Sequence, residues 1–262
     1  MRSTLVIAAA AAAALLAAGA PARGNTPLPT RQKGVLTVAI DLGNPGFAEG
    51  TIATAHGFSV EASAAVAKQM GLKVRYVDYP FARLFVPGPK PYDVAFEFVT
   101  ILPGRARFVD FSTPYFSTTQ GVLVAKDITG PVTLARLRNL QLCAKDETTG
   151  FFYVQNTLRP KGLLLEYPTA TAALNALSTS ICDAFVFDLP ALIAAKRQAP
   201  DRYGALAGRV GTTEHYGAVL PKKSPLRPAV DKAILSLQHA GTFKKIGTHH
   251  FGPALTSTPY IH

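Results

Sequence analysis

The chain is short of charged residues and has no concentrated block of basic ones. Only 16% of its 262 residues are Asp, Glu, Lys or Arg, although the formal net charge is +11. The basic residues are scattered, and adjacent ones occur only as the doublets Lys196-Arg197, Lys222-Lys223 and Lys244-Lys245. Nucleic-acid-binding proteins usually gather their basic residues on one face or arm. We therefore expect a basic solvated surface and no nucleic-acid partner.

Sequence motifs of metal sites and of covalent catalysis are also missing. The six histidines form no His-x-x-x-His pair, and the chain has neither a Cys-x-x-Cys nor a Gly-x-Ser-x-Gly motif. His249, His250 and His262 lie near the C-terminus, where we expect solvated surface. The sequence thus predicts no metal, no cofactor and no catalytic nucleophile.

The only long apolar run lies at the N-terminus. Residues 5–20 are mostly alanine, follow Arg2 and lead to Ala20-Pro21-Ala22, a pattern typical of a secretory signal with small residues at its cleavage site. The run is short for a membrane span, and no cysteine near the cleavage point offers a lipid anchor. We expect cleavage near Ala22 to remove residues 1–22, residues 23–33 to form a flexible leader, and the mature protein to be periplasmic.

The two cysteines, Cys143 and Cys182, are an even count. In an oxidising compartment an even count suggests one disulfide, and the alternative is two buried free thiols.

Short apolar segments alternate with segments of helical spacing along the chain. Strands are predicted at 34–41, 72–79, 92–99, 140–145, 163–168 and 181–188. Helices are predicted at 58–70, 169–180, 189–198, 225–239 and 242–250, with a further helix opening at 148–150 and extended segments at 121–127 and 215–224. This order is typical of an α/β protein that is built as two strand–helix series.

The clearest motif is TILPGRARFVDFSTPYF, from Thr100 to Phe116. Arg105 follows the end of an apolar strand by five residues. The backbone N–H groups at the strand end and the guanidinium could therefore donate hydrogen bonds to one carboxylate. Five further motifs lie along the chain: Gly34-VLTV, Gly57-FSVE, an imperfect Gly-Thr-Thr turn at Glu147-TTG, Asp183-AFVFDLP and Gly241-TFKKIGTHHFG. Together these motifs resemble those of the amino-acid-binding family of periplasmic solute-binding proteins.

The resemblance implies a two-lobed periplasmic-binding-protein fold, in which each lobe is a central mixed sheet flanked by helices. Two extended hinge crossings would join the lobes. Lobe 1 would comprise residues 34–121 and 220–262, and lobe 2 would comprise residues 122–219. The family places the strands of Cys143 and Cys182 side by side in one sheet, which favours the disulfide.

The resemblance also implies a site for a free amino acid between the lobes. The α-carboxylate would bind Arg105 and the backbone N–H groups of Thr100, Thr148 and Thr149. The ammonium would bind Asp188 and the carbonyl of Phe98. Side-chain recognition would fall to Asp41, Asn44, Phe81, Glu97 and Lys145.

The charges of this implied site leave the ligand subclass open. Asp41 and Glu97 together favour a cationic side chain such as that of arginine, lysine, ornithine or histidine. Lys145 could neutralise one acid, pair with Glu97, or bind an acidic or amide side chain. Glu147 stands where the family prefers glycine, and a carboxylate there should repel an anion unless it points to solvent.

The resemblance implies a monomeric, non-enzymatic carrier that delivers its ligand to a membrane ABC permease. Two alternatives stay open. The same fold hosts periplasmic dehydratases resembling cyclohexadienyl dehydratase, which place a catalytic Glu just after the Thr-rich turn, where this chain has Gly150-Phe151-Phe152. The other alternative is a sensor or accessory partner of another periplasmic system.

Overall fold

The computed structural model describes residues 27–262, so the predicted signal peptide and the start of the predicted leader lie outside the described residues. Eight strands form one continuous mixed sheet with the order β2-β1-β3-β8-β4-β7-β5-β6. The strands are β1 Val35–Ile40, β2 Lys73–Asp78, β3 Val94–Thr100, β4 Asp110–Val124, β5 Leu142–Lys145, β6 Leu165–Tyr167, β7 Ala184–Asp188 and β8 Leu206–Leu220.

Helices flank this sheet. They are α1 Phe58–Gln69, α2 Leu134–Leu137, α3 Thr149–Tyr153, α4 Ala170–Ser178, α5 Leu189–Gln198, α6 Arg227–His239, α7 Thr242–Phe251 and α8 Ala254–Ser257. A π-helical turn, Val154–Leu158, continues α3, and 3-10 turns cover Phe81–Phe85 and Arg105–Arg107. Threonine side chains cap the starts of α2, α3 and α4 by accepting a backbone N–H three residues later. The predicted α/β fold is confirmed.

Two long antiparallel strands, β4 and β8, join the two parts of the sheet. We call the part with β1, β2 and β3 the first lobe and the part with β5, β6 and β7 the second lobe. β4 pairs with β7 at residues 120–124, and β8 pairs with β3 at residues 216–219. Both strands have 15 residues and pair with each other along most of that length. They match the two extended crossings of the expected architecture.

The two lobes share the largest hydrophobic cluster. The Phe98 ring of β3 stacks on Phe47 with centroids 4.2 Å apart and meets Phe187 of β7 edge-on at 6.2 Å. A smaller cluster lies within each lobe. Because apolar side chains of both lobes pack together, the lobes are closed on each other in this structure.

A disulfide joins Cys143 in β5 to Cys182 just before β7, and both residues are fully buried. β5 and β7 are paired neighbours in the sheet. The predicted disulfide is confirmed.

The C-terminal residues 259–262 lie against the second lobe. The Arg209 N–H donates to the Pro259 carbonyl at 2.8 Å, and the Leu134 N–H donates to the His262 carbonyl at 3.1 Å. Ile261 packs into the second lobe's own hydrophobic cluster. The lobe boundaries at 121/122 and 219/220 stay a prediction.

Among the helices formed by residues 27–262, none is long and apolar enough to cross a membrane.

Candidate functional site

The end of β3 and the following 3-10 turn bring Arg105 to the gap between the lobes. Its guanidinium donates to the Thr100 carbonyl at 3.1 Å and to the Glu147 carbonyl of the second lobe at 2.9 Å. Burial lowers the pKa of Arg105, and the charges of Asp188, Glu214 and Glu147 oppose that shift. The predicted carboxylate-binding residue therefore lies between the lobes and bridges them.

Phe81 lies between two cations. The Arg105 guanidinium is 5.2 Å from its ring centroid, and the Lys145 ammonium of the second lobe is 5.1 Å from it. Both distances fall within the range of cation–π attraction. Both cations therefore contact the ring of Phe81.

Lys145 pairs with Asp41 across the gap. The ammonium and the Asp41 carboxylate oxygen are 2.9 Å apart, and the Lys145 side chain is almost fully buried. The sequence left open whether Lys145 would neutralise one of the acids or pair with Glu97. The structure shows that it pairs with Asp41.

Glu97 is a buried acid with no hydrogen-bond partner among the described residues. It is 1% exposed, and both of its carboxylate oxygens lack a partner within residues 27–262. Burial raises the pKa of Glu97 well above its usual range; the charge of Asp41 adds to the shift and that of Lys145 opposes it. Glu97 therefore lies close to the Asp41–Lys145 pair as an uncompensated carboxyl group.

Asp188, at the end of β7, is the buried acid on the second lobe. Its carboxylate accepts a hydrogen bond from the Tyr216 hydroxyl, and its side chain is 4% exposed. Burial and the charge of Glu214 raise the pKa of Asp188 to about 7, while the Tyr216 hydrogen bond and Arg105 oppose that rise. The acid expected to bind an ammonium thus lies near both Arg105 and Glu214.

Two of the expected contact residues also shape the backbone of the site. Phe98 has φ of 45°, and the register between β3 and β8 shifts between Ala95 and Val99. This bulge interrupts the β3–β8 ladder at Phe98. Asn44 is buried, and its amide donates to the Asp41 carbonyl at 2.7 Å, so its side chain holds the loop that carries Asp41.

The start of α3 contributes two residues of the expected second-lobe contact, Thr148 and Thr149, and Glu147 precedes them. Thr148 caps the helix by accepting from the Phe151 N–H, and its hydroxyl donates to the Lys145 carbonyl. Glu147 has φ of 59°, a left-handed conformation that glycine adopts at little cost, and its side chain is exposed. The family's glycine preference at this position has a conformational reason.

The sequence interpretation missed Glu214 on β8. Its carboxylate accepts hydrogen bonds from Thr100 Oγ1 at 2.6 Å and from Thr149 Oγ1 at 2.8 Å, one from each lobe. Gln120 Nε2 of β4 donates to it at 3.1 Å. Glu214 therefore connects both lobes and both crossing strands. Its only sequence signal is a single acid next to the extended segment predicted at 215–224.

Comparison with known proteins places the chain among binding proteins. Residues 36–253 match the family described as bacterial extracellular solute-binding proteins, family 3. The chain is 25% identical to ABC transporter arginine-binding protein 1 of Escherichia coli (strain K12) over 202 residues, which cover 74% of this chain and 81% of that protein. It is 30% identical to a glutamate-binding protein of Corynebacterium efficiens over 159 residues, 58% of this chain and about half (54%) of that protein.

The fold is similar to that of solved amino-acid-binding proteins. An ancestral arginine-binding protein bound to arginine superimposes with a TM-score of 0.74 at 26% identity, covering 84% of this chain and 99% of that one. An ancestral arginine-binding protein bound to glutamine gives a TM-score of 0.75 at 25% identity, covering 84% of this chain and 99% of that one.

Proposed function

The chain belongs to the bacterial extracellular solute-binding proteins of family 3, and from this premise we propose that it is an exported, periplasmic carrier of amino acids. It captures a polar amino acid with a basic side chain between its two lobes, acts as a monomer and delivers the ligand to an ABC-type permease. Lobe closure by hinge motion along β4 and β8 would enclose the ligand.

The observation on which the proposal rests is the cluster of charges around Phe81. Arg105 and Lys145, from opposite lobes, contact the same ring. Four buried or half-buried acids, Asp41, Glu97, Asp188 and Glu214, and the exposed Glu147 are electrostatically coupled to these two cations. A gap with both signs of charge and an acid surplus fits a zwitterion that carries an additional positive charge.

Each group of a basic amino acid has a candidate partner in this cluster. Arg105 uses two of its five N–H donors on backbone carbonyls, which leaves three for a ligand carboxylate. Asp188 and the carbonyl of Phe98 would take the ammonium.

Asp41 and Glu97 would pair with the side-chain cation, and Phe81 would stack on the aliphatic stem. The N–H groups of Thr100, Thr148 and Thr149 would complete the carboxylate contacts, and Asn44 would hold the Asp41 loop.

The names of the relatives support an amino acid ligand and binding rather than catalysis. They are arginine-binding and glutamate-binding proteins. In the segment where a dehydratase would carry its catalytic acid, this chain has Gly150, and a Cβ there would lie 2.6 Å from Gln120 Oε1 and 2.8 Å from the Val186 carbonyl oxygen. We therefore propose capture and delivery without chemical conversion.

Isothermal titration calorimetry on the mature chain tests this proposal. We expect binding of arginine, lysine, ornithine or histidine in the micromolar range or tighter. Arg105→Ala should weaken that binding at least about 100-fold, because it removes a charged partner from a partly buried site. Arg107→Ala is the matched control, since Arg107 is exposed in the same turn and should leave affinity unchanged.

Two results would count against the proposal. Absence of heat with every amino acid tested, from a folded sample, would refute the carrier function. Micromolar affinity retained in Arg105→Ala would refute the role of Arg105 only.

A further inference from the structure

We propose that Glu214 is a resident carboxylate that binds the side chains of Thr100 and Thr149 beside the backbone N–H groups and the guanidinium expected to hold a ligand carboxylate, so that a ligand carboxylate would meet a like charge there. As a consequence, the site accepts cationic amines without an α-carboxylate, such as aliphatic diamines and guanidino-amines, at least as tightly as the parent amino acids. This inference rests on the proposed function and defines the ligand class of the same site.

The hydrogen bonds of Glu214 are the first support. Two threonine hydroxyls, one from each lobe, and the Gln120 amide all donate to its carboxylate. Thr100 ends the strand before Arg105, and Thr149 is the first residue of α3. These are the two positions from which the lobes would approach an amino acid carboxylate. In the closed structure a protein carboxylate already binds their side chains.

The charge balance around Arg105 is the second support. The guanidinium already interacts with the charges of Asp188, Glu214 and Glu147. A ligand carboxylate would gain a contact with Arg105 but would bind beside the Glu214 carboxylate against like-charge repulsion. The attraction of the α-carboxylate to Arg105 and its repulsion from Glu214 oppose each other, so the α-carboxylate contributes little net affinity.

The buried acid Glu97 is the third and independent support. It is 1% exposed, neither of its oxygens has a hydrogen-bond partner among residues 27–262, and it lies near the Asp41–Lys145 pair. A buried carboxyl group without a partner is costly, and a ligand cation would compensate it. The cluster holds more acidic than basic side chains, and a bound cation would favour the ionised forms of the buried acids Glu97 and Asp188. A ligand with two positive charges and no carboxylate therefore matches the site better than a zwitterion.

Calorimetric titration of the wild-type mature chain with matched ligand pairs tests the inference. The pairs are lysine with cadaverine, arginine with agmatine, and ornithine with putrescine, each differing only in the α-carboxylate. For the best-binding pair we expect the amine to bind at least as tightly as the amino acid, within a factor of three. Glu214→Gln should shift the ratio at least tenfold toward the amino acid, because the amide keeps the shape but not the charge.

Glu166→Gln is the matched control, since it removes the same charge from an exposed position on β6 and should leave the ratio unchanged. An amino acid that binds the wild type more than threefold tighter than its amine would overturn the inference and leave the carrier function intact. A ratio that does not move in a folded Glu214→Gln variant would overturn it as well. Binding of neither pair member would instead contradict the carrier function itself.

Discussion

Replacing Asp188 by asparagine should stabilise the unliganded protein, and the gain should grow with pH. Asp188 is 4% exposed, and burial together with the Glu214 charge raises its pKa from 3.8 to about 7. For an acid whose pKa is higher in the folded state, the folded protein holds a proton that the unfolded chain has lost. Stability therefore falls as the pH rises from the pKa of Asp188 in the unfolded chain toward its pKa in the folded protein. Above the folded-state pKa the loss of stability is complete.

The size of this penalty follows from the shift. Three pKa units at 1.36 kcal/mol each correspond to about 4 kcal/mol at pH 8, and the same relation gives about 2 kcal/mol at pH 5. Asparagine cannot ionise, and its side-chain oxygen can still accept the hydrogen bond from Tyr216. The advantage of Asp188→Asn over the wild type should therefore increase by about 2.5 kcal/mol between these pH values.

Urea unfolding followed by circular dichroism at pH 5 and pH 8 measures both free energies of unfolding. Asp201→Asn is the control, because Asp201 is exposed on a surface turn and its replacement should change stability by less than about 0.5 kcal/mol. A difference in unfolding free energy between Asp188→Asn and the wild type that stays constant from pH 5 to pH 8 would refute the argument that burial and the Glu214 charge raise the pKa of Asp188.

Two further predictions concern the second lobe. Reduction of the Cys143–Cys182 disulfide should lower the free energy of unfolding by about 4 kcal/mol, the chain-entropy value for a separation of 39 residues. Urea unfolding with and without a reductant measures this, the Cys143→Ala/Cys182→Ala double variant should not respond to reductant, and an unchanged wild-type midpoint would contradict the estimate. Glu147→Gly should raise stability by about 1 kcal/mol because it relieves a left-handed φ of 59°. Glu147→Ala keeps the Cβ and should show no such gain in the same assay; equal effects of both variants would mean that charge, not conformation, is responsible.

The elements with strong local signals could be predicted from the sequence. Helix α5 begins and ends where the pattern predicted, at residues 189 and 198, because Pro190 lies in its first turn and the apolar positions recur at helical spacing. The long strands were predicted much shorter than they are. β4 contains Pro114 and a row of polar residues, and its length depends on pairing with β8 about 100 residues away rather than on local propensity.

The candidate site shows the same division between local and distant information. Family motifs indicated Arg105, Asp188 and Asp41. The structure brings Arg105 to the Phe81 ring, and the second cation at that ring, Lys145, is the ion-pair partner of Asp41. The partner of Lys145 could not be chosen from the sequence, because two acids were available at similar positions. Glu214 could not be recognised, since its donors are 65 to 114 residues away in the chain.

The placement of the C-terminal tail has a mechanical consequence. Helix α7 packs on α1 of the first lobe, whereas Ile261, ten residues beyond the end of that helix, is inserted in the second. The chain thus passes between the two lobes three times instead of two, and the third crossing is anchored in the second lobe by non-covalent packing and hydrogen bonds. The two adjacent strands β4 and β8 allow one lobe to rotate relative to the other about an axis between them. The C-terminal tail crosses between the lobes away from that axis, so it restricts this rotation. Any lobe opening that exposes the ligand site must either leave the tail bound or remove Ile261 from the hydrophobic cluster of the second lobe.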